Sequence, residues 1–182
     1  MSTVFPVVGV GASAGGLKPL ESFFQHIPED TGAAFVVLQH LSPRYKSVMD
    51  ELLTRRTEMP VQVAEDGMAL KPNTVTLAPP GQTLLYRDGK VFFGRMVARA
   101  ERLRTIDHFL ESLSTLGSLA IGVVLSGTGT DGTIGLQQIH AAGGVTMVQS
   151  PDSAQFDGMP LSAVSTGIVD FILPPWKLAD AM

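Results

Sequence analysis

A unit that recurs along the chain constrains the fold more than any other feature: a short apolar run, rich in valine, followed by a segment with helical spacing. Such runs lie at positions 4–10, 33–38 and 119–127. None alternates between apolar and polar residues, so each is predicted to be a strand that is buried on both faces. Strands that alternate with helices are typical of a parallel sheet covered by helices on both sides. We therefore expect a three-layer α/β/α fold with a doubly wound, mostly parallel sheet.

The remaining segments extend this pattern. The predicted helices cover 17–27, 47–56, 106–116, 133–144 and 162–167, with a further helix start at Ser42-Pro43, and two late strands cover 145–150 and 168–173. Positions 60–93 differ, because short alternating runs there are interrupted by turn signals, among them Asp88-Gly89. We expect this part to form a small antiparallel hairpin insert.

Size and charge narrow the range of functions. A chain of 182 residues with 45% hydrophobic residues is long enough for one well-buried core, so we expect a single domain over residues 1–182. The net charge of −4 provides no general attraction for nucleic acid, and Glu101 dilutes the arginines at 95–104. No apolar stretch approaches the roughly 20 residues that span a bilayer, and the first residues do not resemble a secretory signal. We expect a cytoplasmic protein without membrane insertion.

The chain contains no cysteine. This absence excludes thiol nucleophiles, thiolate zinc sites and iron–sulfur ligation, and it leaves serine, threonine, lysine, histidine and the carboxylates as reactive groups. The four histidines show no metal-binding spacing such as His-x-x-x-His. We therefore predict neither a metal site nor a cofactor.

Three polar side chains follow the predicted strands. Ser13 comes after the first strand, His40 after the second, and Asp131 lies in the loop "GTGTDG" after the third. Because functional groups of parallel sheets lie at the carboxyl ends of the strands, we expect the three side chains to meet at one edge. A hydroxyl, an imidazole and a carboxylate are the parts of an activated serine nucleophile. In such a triad His40 would remove the Ser13 proton, and Asp131 would orient the ring.

Each of these residues also has a structural interpretation. "GASAG" matches the G-x-S-x-G pattern of a nucleophile turn, but Ser13 is equally suited to cap the helix that follows it. His40 could bond to the backbone at a strand end, and Asp131 could stabilise a turn in its glycine-rich loop. The alternative acidic partners for His40 are Asp107, Asp152 and Asp157. The convergence of all three parts at one edge favours the nucleophile.

A nucleotide-binding site is the competing interpretation of the first turn. Gly9, Gly11 and Gly15 lie between a strand and a helix, as in the dinucleotide-binding fingerprint. That fingerprint needs its third glycine one position earlier and an acidic residue at the end of the next strand, where this chain has Gln39-His40. The usual α/β-hydrolase is also a poor match, because its order is Ser, acid, His and this chain has Ser, His, acid.

Several longer motifs occur in one order along nearly the whole chain. "GASAGG" contains the serine, "LQHLSP" the histidine and "IGVVLSGTGTDGTIGL" the aspartate, with "AEDGMALKPNTVTLAPPG" between them and "FDGMPLSAVSTG" near the end. These motifs resemble those of the CheB family, the chemotaxis protein-glutamate methylesterases. The resemblance implies a serine hydrolase that removes methyl groups from methylated glutamates of chemoreceptors, releases methanol and deamidates selected glutamines. It also implies Ser13 as nucleophile, His40 as base and Asp131 as orienting acid.

The same resemblance implies where the oxyanion or the substrate binds, namely at backbone amides of Ala14, Thr128 and Gly129. The chain departs from the family pattern at two of these positions. Ala14 replaces a common threonine, so a hydroxyl near the site is missing, and Thr128 replaces the usual methionine. A role for the Thr128 backbone amide is compatible with that change.

Members of the family usually carry a receiver domain that covers the active site, whereas here the first strand begins close to Met1. This start resembles methylesterase modules of larger proteins that also contain a methyltransferase and sensory domains. We expect no receiver domain in this chain. We expect methylated chemoreceptor helices as partners, with Arg44, Tyr45, Arg55 and Arg56 as candidate contacts. The alternative is a catalytically quiet module of the same fold that binds a receptor or a partner protein.

Overall fold

The fold is built on a central parallel sheet. The structure, a computed structural model, describes residues 5–40, 48–95, 101 and 103–182. Its strands are β1 (Val7–Ala12), β2 (Ala34–Gln39), β3 (Val61–Val63), β4 (Met68–Ala69), β5 (Thr74–Leu77), β6 (Thr83–Arg87), β7 (Lys90–Gly94), β8 (Ala120–Val124), β9 (Val145–Gln149) and β10 (Phe171–Leu173). Seven of these strands form the central sheet in the order β10-β9-β8-β1-β2-β5-β3, and all their pairings are parallel.

Helices cover both faces of this sheet. They are α1 (Leu17–His26), α2 (Met49–Thr54), α3 (Thr105–Leu113), α4 (Thr133–Ala141), α5 (Gly158–Val164) and α6 (Pro175–Asp180), with short 3-10 segments at Ser114–Leu119 and Pro151–Ser153. Buried side chains of α3, α4 and α5 share one hydrophobic cluster with the sheet, and those of α1, α2 and α6 share a second cluster. The predicted three-layer α/β/α fold with a mostly parallel sheet is confirmed.

The middle strand, β1, explains two of the glycines near the start of the chain. β1 lies between β2 and β8, and all of its residues are buried. A Cβ at Gly9 would lie 2.7 Å from Leu110 Cδ2, and one at Gly11 would lie 2.5 Å from Ile106 Cγ2. These glycines therefore allow α3 to approach the sheet closely. Packing thus accounts for part of the pattern that resembles a dinucleotide fingerprint.

The prediction for positions 60–93 is wrong in part. β3 and β5 belong to the parallel sheet, where β5 pairs with β2 on one side and with β3 on the other. All four residues of β5 are buried, so its alternation of threonine with valine and leucine does not mark a solvent-exposed face. The buried Thr76 hydroxyl accepts a hydrogen bond from Gln62 Nε2 at 3.1 Å. Within the described residues the antiparallel sheet consists of β4, β7 and β6.

The hairpin signal within that segment is confirmed. β6 and β7 pair across Asp88-Gly89, and both turn residues have positive φ, at 49° and 79°. Other boundaries differ, since α5 begins at Gly158, before the predicted start at position 162. The predicted helix start at Ser42-Pro43 lies outside the described residues. Of the helices described, none combines the length and the apolar character needed to cross a membrane.

Candidate active site

Three loops bring the predicted triad to one edge of the sheet. Ser13 follows the last residue of β1, His40 follows the last residue of β2, and Asp131 lies between β8 and α4. Because β1 is flanked by β2 and β8 and all three run parallel, their carboxyl ends adjoin. The order of the strands, rather than proximity along the chain, therefore brings these residues together.

The three side chains form a continuous chain of hydrogen bonds. Ser13 Oγ lies 3.1 Å from His40 Nδ1. On the other side of the ring, His40 Nε2 lies 2.6 Å from Asp131 Oδ2. His40 is partly buried, whereas Asp131 is 4% exposed. The imidazole is therefore partly open to solvent, whereas the Asp131 side chain is largely shielded from it.

The orientation of the ring defines which nitrogen carries which role. Nδ1 can accept the Ser13 proton only in the tautomer that carries its hydrogen on Nε2. In that tautomer Nε2–H donates to Asp131 Oδ2 across the short 2.6 Å contact. The arrangement is the reverse of the serine protease triad, in which Nε2 faces the serine and Nδ1 the aspartate.

Backbone contacts hold the turn that presents Ser13. The Ser13 amide donates to Ser126 O at 2.9 Å, and the Gly16 amide donates to Ser13 O at 2.9 Å. Gly15 has a φ of 66°, a left-handed conformation that glycine adopts without steric cost. A Cβ at Gly127 would lie 2.8 Å from Ser13 Cβ, so the glycine leaves space for the serine. The turn is therefore tight, and the Ser13 side chain projects towards His40, in the loop after β2.

Asp131 is fixed more firmly, by amides of the α3 N-terminus. Its Oδ2 accepts from the Ile106 amide at 3.0 Å, and its Oδ1 accepts from the Asp107 amide at 2.8 Å and from the Gly132 amide at 2.9 Å. A carboxylate at a helix N-terminus satisfies amides that have no partner within the helix and interacts favourably with the helix dipole. Asp131 therefore caps α3 at the same time as it orients His40.

Asp107 returns this contact from the first turn of α3. Its Oδ1 accepts from the Gly132 amide at 3.0 Å and from the Gly135 amide at 2.8 Å, so it caps α4 while Asp131 caps α3. Burial raises the pKa of the Asp107 carboxyl above its ordinary value, and the nearby Asp131 carboxylate adds to the rise. The Gly135 amide and the Arg104 guanidinium act in the opposite direction. The two carboxylates thus lock α3 and α4 together beside the triad.

A cavity of about 470 Å³ lies against the acid end of the triad. Its lining residues are His40, Leu103, Arg104, Asp107, Thr128, Gly129, Thr130, Asp131 and Ile134. Leu103 and Ile134 expose 65% and 43% of their surface, so apolar side chains face solvent beside the imidazole. Arg104 adds a cation that pairs with Glu111 at 2.9 Å. The walls thus combine apolar surface with the cation of Arg104 and the carboxyl groups of Asp107 and Asp131.

The predicted oxyanion residues lie in two loops, one after β1 and one after β8. Thr128 and Gly129 line the cavity, whereas Ala14 follows Ser13 in the turn of residues 12–16, called the nucleophile turn below. In the part of the chain that the structure describes, the backbone amides of Ala14, Thr128 and Gly129 donate to no partner. They are therefore free to donate to a ligand oxygen.

The structure also decides between the acidic residues considered for His40. It brings Asp131 to the ring, while Asp107 bonds to the amides of α4. Among the candidate partner contacts, Arg56 lies on the surface and pairs with Glu21 at 3.4 Å. Arg44 and Tyr45 lie outside the described residues. Within the described ranges no group of three or more histidine or acidic side chains could hold a metal ion.

Sequence reasoning missed Ser126, although its position carried a signal. This residue follows β8 in the motif "LSG", and it is completely buried. A polar residue within an otherwise apolar buried run needs hydrogen-bond partners, which is a reason to ask what it holds. The Ser126 carbonyl accepts the Ser13 amide, so the residue belongs to the site.

A parallel α/β sheet that presents serine, histidine and aspartate at its carboxyl edge has the arrangement of a serine hydrolase. The profile of the family described as CheB methylesterase matches residues 8–182. The chain therefore belongs to the CheB methylesterase family, and the resemblance seen in its motifs is confirmed.

The chain is also similar to individual proteins. The chain is 30% identical over 183 residues to a Thermotoga maritima protein named protein-glutamate methylesterase/protein-glutamine glutaminase, covering 97% of this chain and 53% of that protein. It is 46% identical over 140 residues to a Rhodobacter capsulatus protein named "Uncharacterized 104.1 kDa protein in hypE 3'region", covering 72% of this chain and 14% of that protein. The chain thus spans about half the length of one relative and a small part of the other.

A solved structure shows the same fold. The crystal structure of the Thermotoga maritima CheB methylesterase catalytic domain matches with a TM-score of 0.90 at 30% sequence identity. The match covers 98% of this chain and 97% of that chain. The architecture described above is therefore that of a CheB catalytic domain.

Proposed function

We propose that this chain is a protein-glutamate methylesterase that hydrolyses the methyl ester of a modified glutamate side chain and releases methanol. The observation that carries the proposal is the hydrogen-bond chain from Ser13 Oγ through His40 to Asp131, with distances of 3.1 Å and 2.6 Å. Family membership supports the choice of a carboxyl ester as substrate. The named relatives support glutamate as the residue that carries it.

In the first half of the reaction Ser13 Oγ attacks the ester carbonyl carbon while His40 Nδ1 removes its proton. Asp131 accepts the Nε2–H bond and stabilises the imidazolium that forms. The tetrahedral intermediate then expels the methoxy oxygen, which takes the proton from Nδ1 and leaves as methanol. The glutamyl group remains bound to Ser13 as an ester.

In the second half a water molecule takes the place of methanol. His40 Nδ1 removes a proton from the water, whose oxygen attacks the glutamyl–serine ester, and the same proton returns to Ser13 Oγ as that bond breaks. The products are a glutamate carboxylate with its proton released, and the free serine. A glutamine side chain would follow the same course with ammonia as the first product, which is the glutaminase activity in the relatives' names.

Both halves pass through an oxyanion that needs hydrogen-bond donors. The free amides of Ala14, Thr128 and Gly129 are the proposed donors. Amides of this kind contribute roughly a hundredfold to a thousandfold each in serine hydrolases. Because these donors are backbone groups, neither the alanine at 14 nor the threonine at 128 removes them.

The proposed partner is a helix of a methylated chemoreceptor, a protein substrate that meets the cavity beside His40. The exposed apolar side chains of Leu103 and Ile134 provide a surface for an apolar part of such a helix. We further propose that residues 1–182 form a single domain that acts in the cytoplasm. We also propose that, in a larger protein, other domains fused to this one regulate its activity.

The test combines methanol release from a methylated chemoreceptor fragment with labelling by a fluorophosphonate. We expect the wild-type chain to release methanol and to gain one adduct, which mass spectrometry locates on Ser13. Ser13→Ala should lose the adduct and lower turnover by about ten-thousandfold or more. Ser165→Ala, which changes an exposed serine of another loop, is the control and should behave as wild type.

Two outcomes would contradict the proposal. Methanol release by Ser13→Ala at the wild-type rate would remove Ser13 as nucleophile. Receptor binding by the wild-type chain with neither methanol release nor labelling would instead favour the quiet binding module.

A further inference from the structure

Ser126 lies below the nucleophile turn and takes no part in the proton relay. It follows β8 and Leu125, and it is completely buried. Its backbone connects two parts of the site: the Ser13 amide donates to Ser126 O at 2.9 Å, and the Ser126 amide donates to Gln149 Oε1 at 2.9 Å. Gln149 is itself 1% exposed and donates to Ser153 O at 3.1 Å. The backbone of Ser126 is therefore held on both sides.

The hydroxyl of Ser126 makes a second connection to the same turn. Ser126 Oγ lies 2.9 Å from Ala14 O and 3.2 Å from Phe156 O. A hydroxyl has one proton to donate, Ala14 O is the nearer acceptor, and Phe156 O also has the Gly127 amide as a donor at 3.0 Å. The proton therefore goes to Ala14 O, while the Oγ lone pair accepts the Phe156 amide at 3.1 Å.

The bond to Ala14 O determines the orientation of a peptide plane next to the nucleophile. The peptide between Ala14 and Gly15 is planar and trans, so its carbonyl and its N–H point in opposite directions. Because the carbonyl points inward to the Ser126 hydroxyl, the Gly15 N–H points away from Ser126. The adjoining peptide is fixed separately, since the Gly16 amide donates to Ser13 O. The peptide groups on both sides of the Ala14 Cα, Ser13–Ala14 and Ala14–Gly15, thus have a fixed orientation before a substrate binds.

We propose that Ser126 is a positioning residue, whose hydroxyl holds the Ser13–Ala14–Gly15 backbone so that the nucleophile and the Ala14 amide face the ester together. This inference rests on the proposed function. Its physical basis is that a displacement of about 1 Å at reacting groups lowers rates by about a hundredfold. Removal of the hydroxyl also leaves the Ala14 carbonyl and the Phe156 amide without their partner, so both segments would shift.

The test compares Ser126→Ala with a matched control, Thr146→Val. Thr146 is equally buried, and its hydroxyl also joins two backbone groups, donating to Ile168 O at 2.9 Å and accepting from the Asp170 amide at 3.0 Å. The Asp170 carboxylate is a second acceptor near this hydroxyl, at 3.1 Å. It contacts a loop before β10 rather than the nucleophile turn. Both variants therefore lose a buried hydroxyl with two backbone partners. Only Ser126→Ala removes a contact to the turn that carries Ser13.

We expect the two variants to lower the Tm by similar amounts and to differ in catalysis. Ser126→Ala should lower kcat for methanol release by between about 10-fold and 100-fold with little change in KM, because the interaction matters in the transition state. Its fluorophosphonate adduct should still form on Ser13, at a reduced rate. Thr146→Val should keep the wild-type kcat and labelling rate.

A second substitution covers the case in which Ser126→Ala does not fold. Ser126→Cys keeps a weaker donor of similar size. If both variants fold, its kcat should lie between those of Ser126→Ala and wild type. If only Ser126→Cys folds, its kcat should be severalfold lower than that of wild type. A Ser126→Ala or Ser126→Cys chain with the wild-type kcat would overturn the positioning role and leave the methylesterase intact. A wild-type chain that neither reacts nor labels would overturn both proposals.

Discussion

The nucleophile turn, residues 12–16, and the acid turn, residues 130–133, lie at the ends of neighbouring strands but are held in opposite ways. The Asp131 carboxylate accepts from three backbone amides as well as from His40, and it is 4% exposed. Among the described residues the Ser13 hydroxyl has His40 as its partner, and its surroundings are partly open. Asp131, the proposed acid, is thus a structural part of the fold, whereas the hydroxyl of Ser13, the proposed nucleophile, has no structural role among the described residues.

This difference follows from the chemistry proposed for each end. A group that only orients the ring works best when it cannot move, and helix N-terminal amides provide that restraint. A nucleophile must instead give up its proton and form a bond to carbon. The turn around Ser13 therefore restrains the backbone and spares the hydroxyl.

The largest effect should come from comparing Ser13→Ala with Asp131→Asn. Both should lower turnover by about ten-thousandfold or more. Their effects on stability should differ, because an Asn amide in place of either Asp131 oxygen would face a backbone N–H and leave it without an acceptor. Such a loss costs about 1–3 kcal/mol of unfolding free energy, whereas Ser13→Ala should change it by less than about 0.5 kcal/mol.

Chemical denaturation of both variants measures this difference. Equal stabilities for Ser13→Ala and Asp131→Asn would show that the acid turn does not depend on its carboxylate, and the contrast between the two turns would be lost.

Gly127→Ala should disturb the nucleophile turn without touching the acid. The new methyl would overlap Met159 Sδ and lie 2.8 Å from Ser13 Cβ. We expect a loss of about 1–3 kcal/mol in unfolding free energy, together with slower fluorophosphonate labelling of Ser13. Gly94→Ala is the control, because its Cβ would lie no closer than 3.4 Å to any atom and should leave labelling unchanged. Labelling of Gly127→Ala at the wild-type rate would show that the turn tolerates displacement.

Asp107→Asn should alter how stability depends on pH. The pKa of Asp107 is raised in the folded protein by burial and by Asp131, so the folded state binds its proton more tightly than the unfolded state. The stability associated with Asp107 is therefore fully present below the ordinary value of 3.8 and is lost as the pH rises through the folded pKa. Asn keeps an oxygen for the Gly132 and Gly135 amides and has no proton to lose.

Denaturant titrations of wild type and Asp107→Asn across a pH series measure this effect. The unfolding free energy of wild type minus that of the variant should fall as the pH rises above 3.8. A difference that rises over that range would contradict the raised pKa of Asp107.

The smallest effect should come from Arg104→Gln. Arg104 pairs with Glu111 at 2.9 Å and with Asp107 at 3.5 Å, but its side chain is 42% exposed. An ion pair in this setting contributes less than about 1 kcal/mol, and added salt reduces it further. Thermal melts at low and high salt should show a small loss that shrinks with salt. A large loss that is insensitive to salt would mean that Arg104 stabilises the fold by something other than these exposed ion pairs.

Much of this architecture could be predicted from the sequence, because buried parallel strands leave a distinct pattern. Valine-rich runs without alternation identified β1, β2 and β8, and the rule for carboxyl ends brought Ser13, His40 and Asp131 to one edge. The catalytic roles of these residues stay predictions. Their relative placement needed no knowledge of side-chain contacts, since strand order alone determines it.

Other parts could not be predicted, because their signals depend on partners distant in the chain. The alternation of polar and apolar residues in β5 is typical of a half-exposed strand. In the structure Gln62 donates a hydrogen bond to the Thr76 hydroxyl, which allows this polar group to be buried. Asp107 resembled a competing acid for His40, and its reciprocal contact with the turn of Asp131 appears only when α3 and α4 are packed together. The hydroxyl of Ser126 likewise has meaning only beside Ala14 and Phe156.

The reciprocal capping of α3 and α4 affects how such a domain can decay. A copy that no longer needed its chemistry could exchange Ser13 at little cost, since the hydroxyl serves no helix. The same copy would be selected to keep Asp131, because folding itself uses that carboxylate. We therefore expect an aspartate at this position to be less informative than the serine about whether a domain of this fold keeps the proposed chemistry.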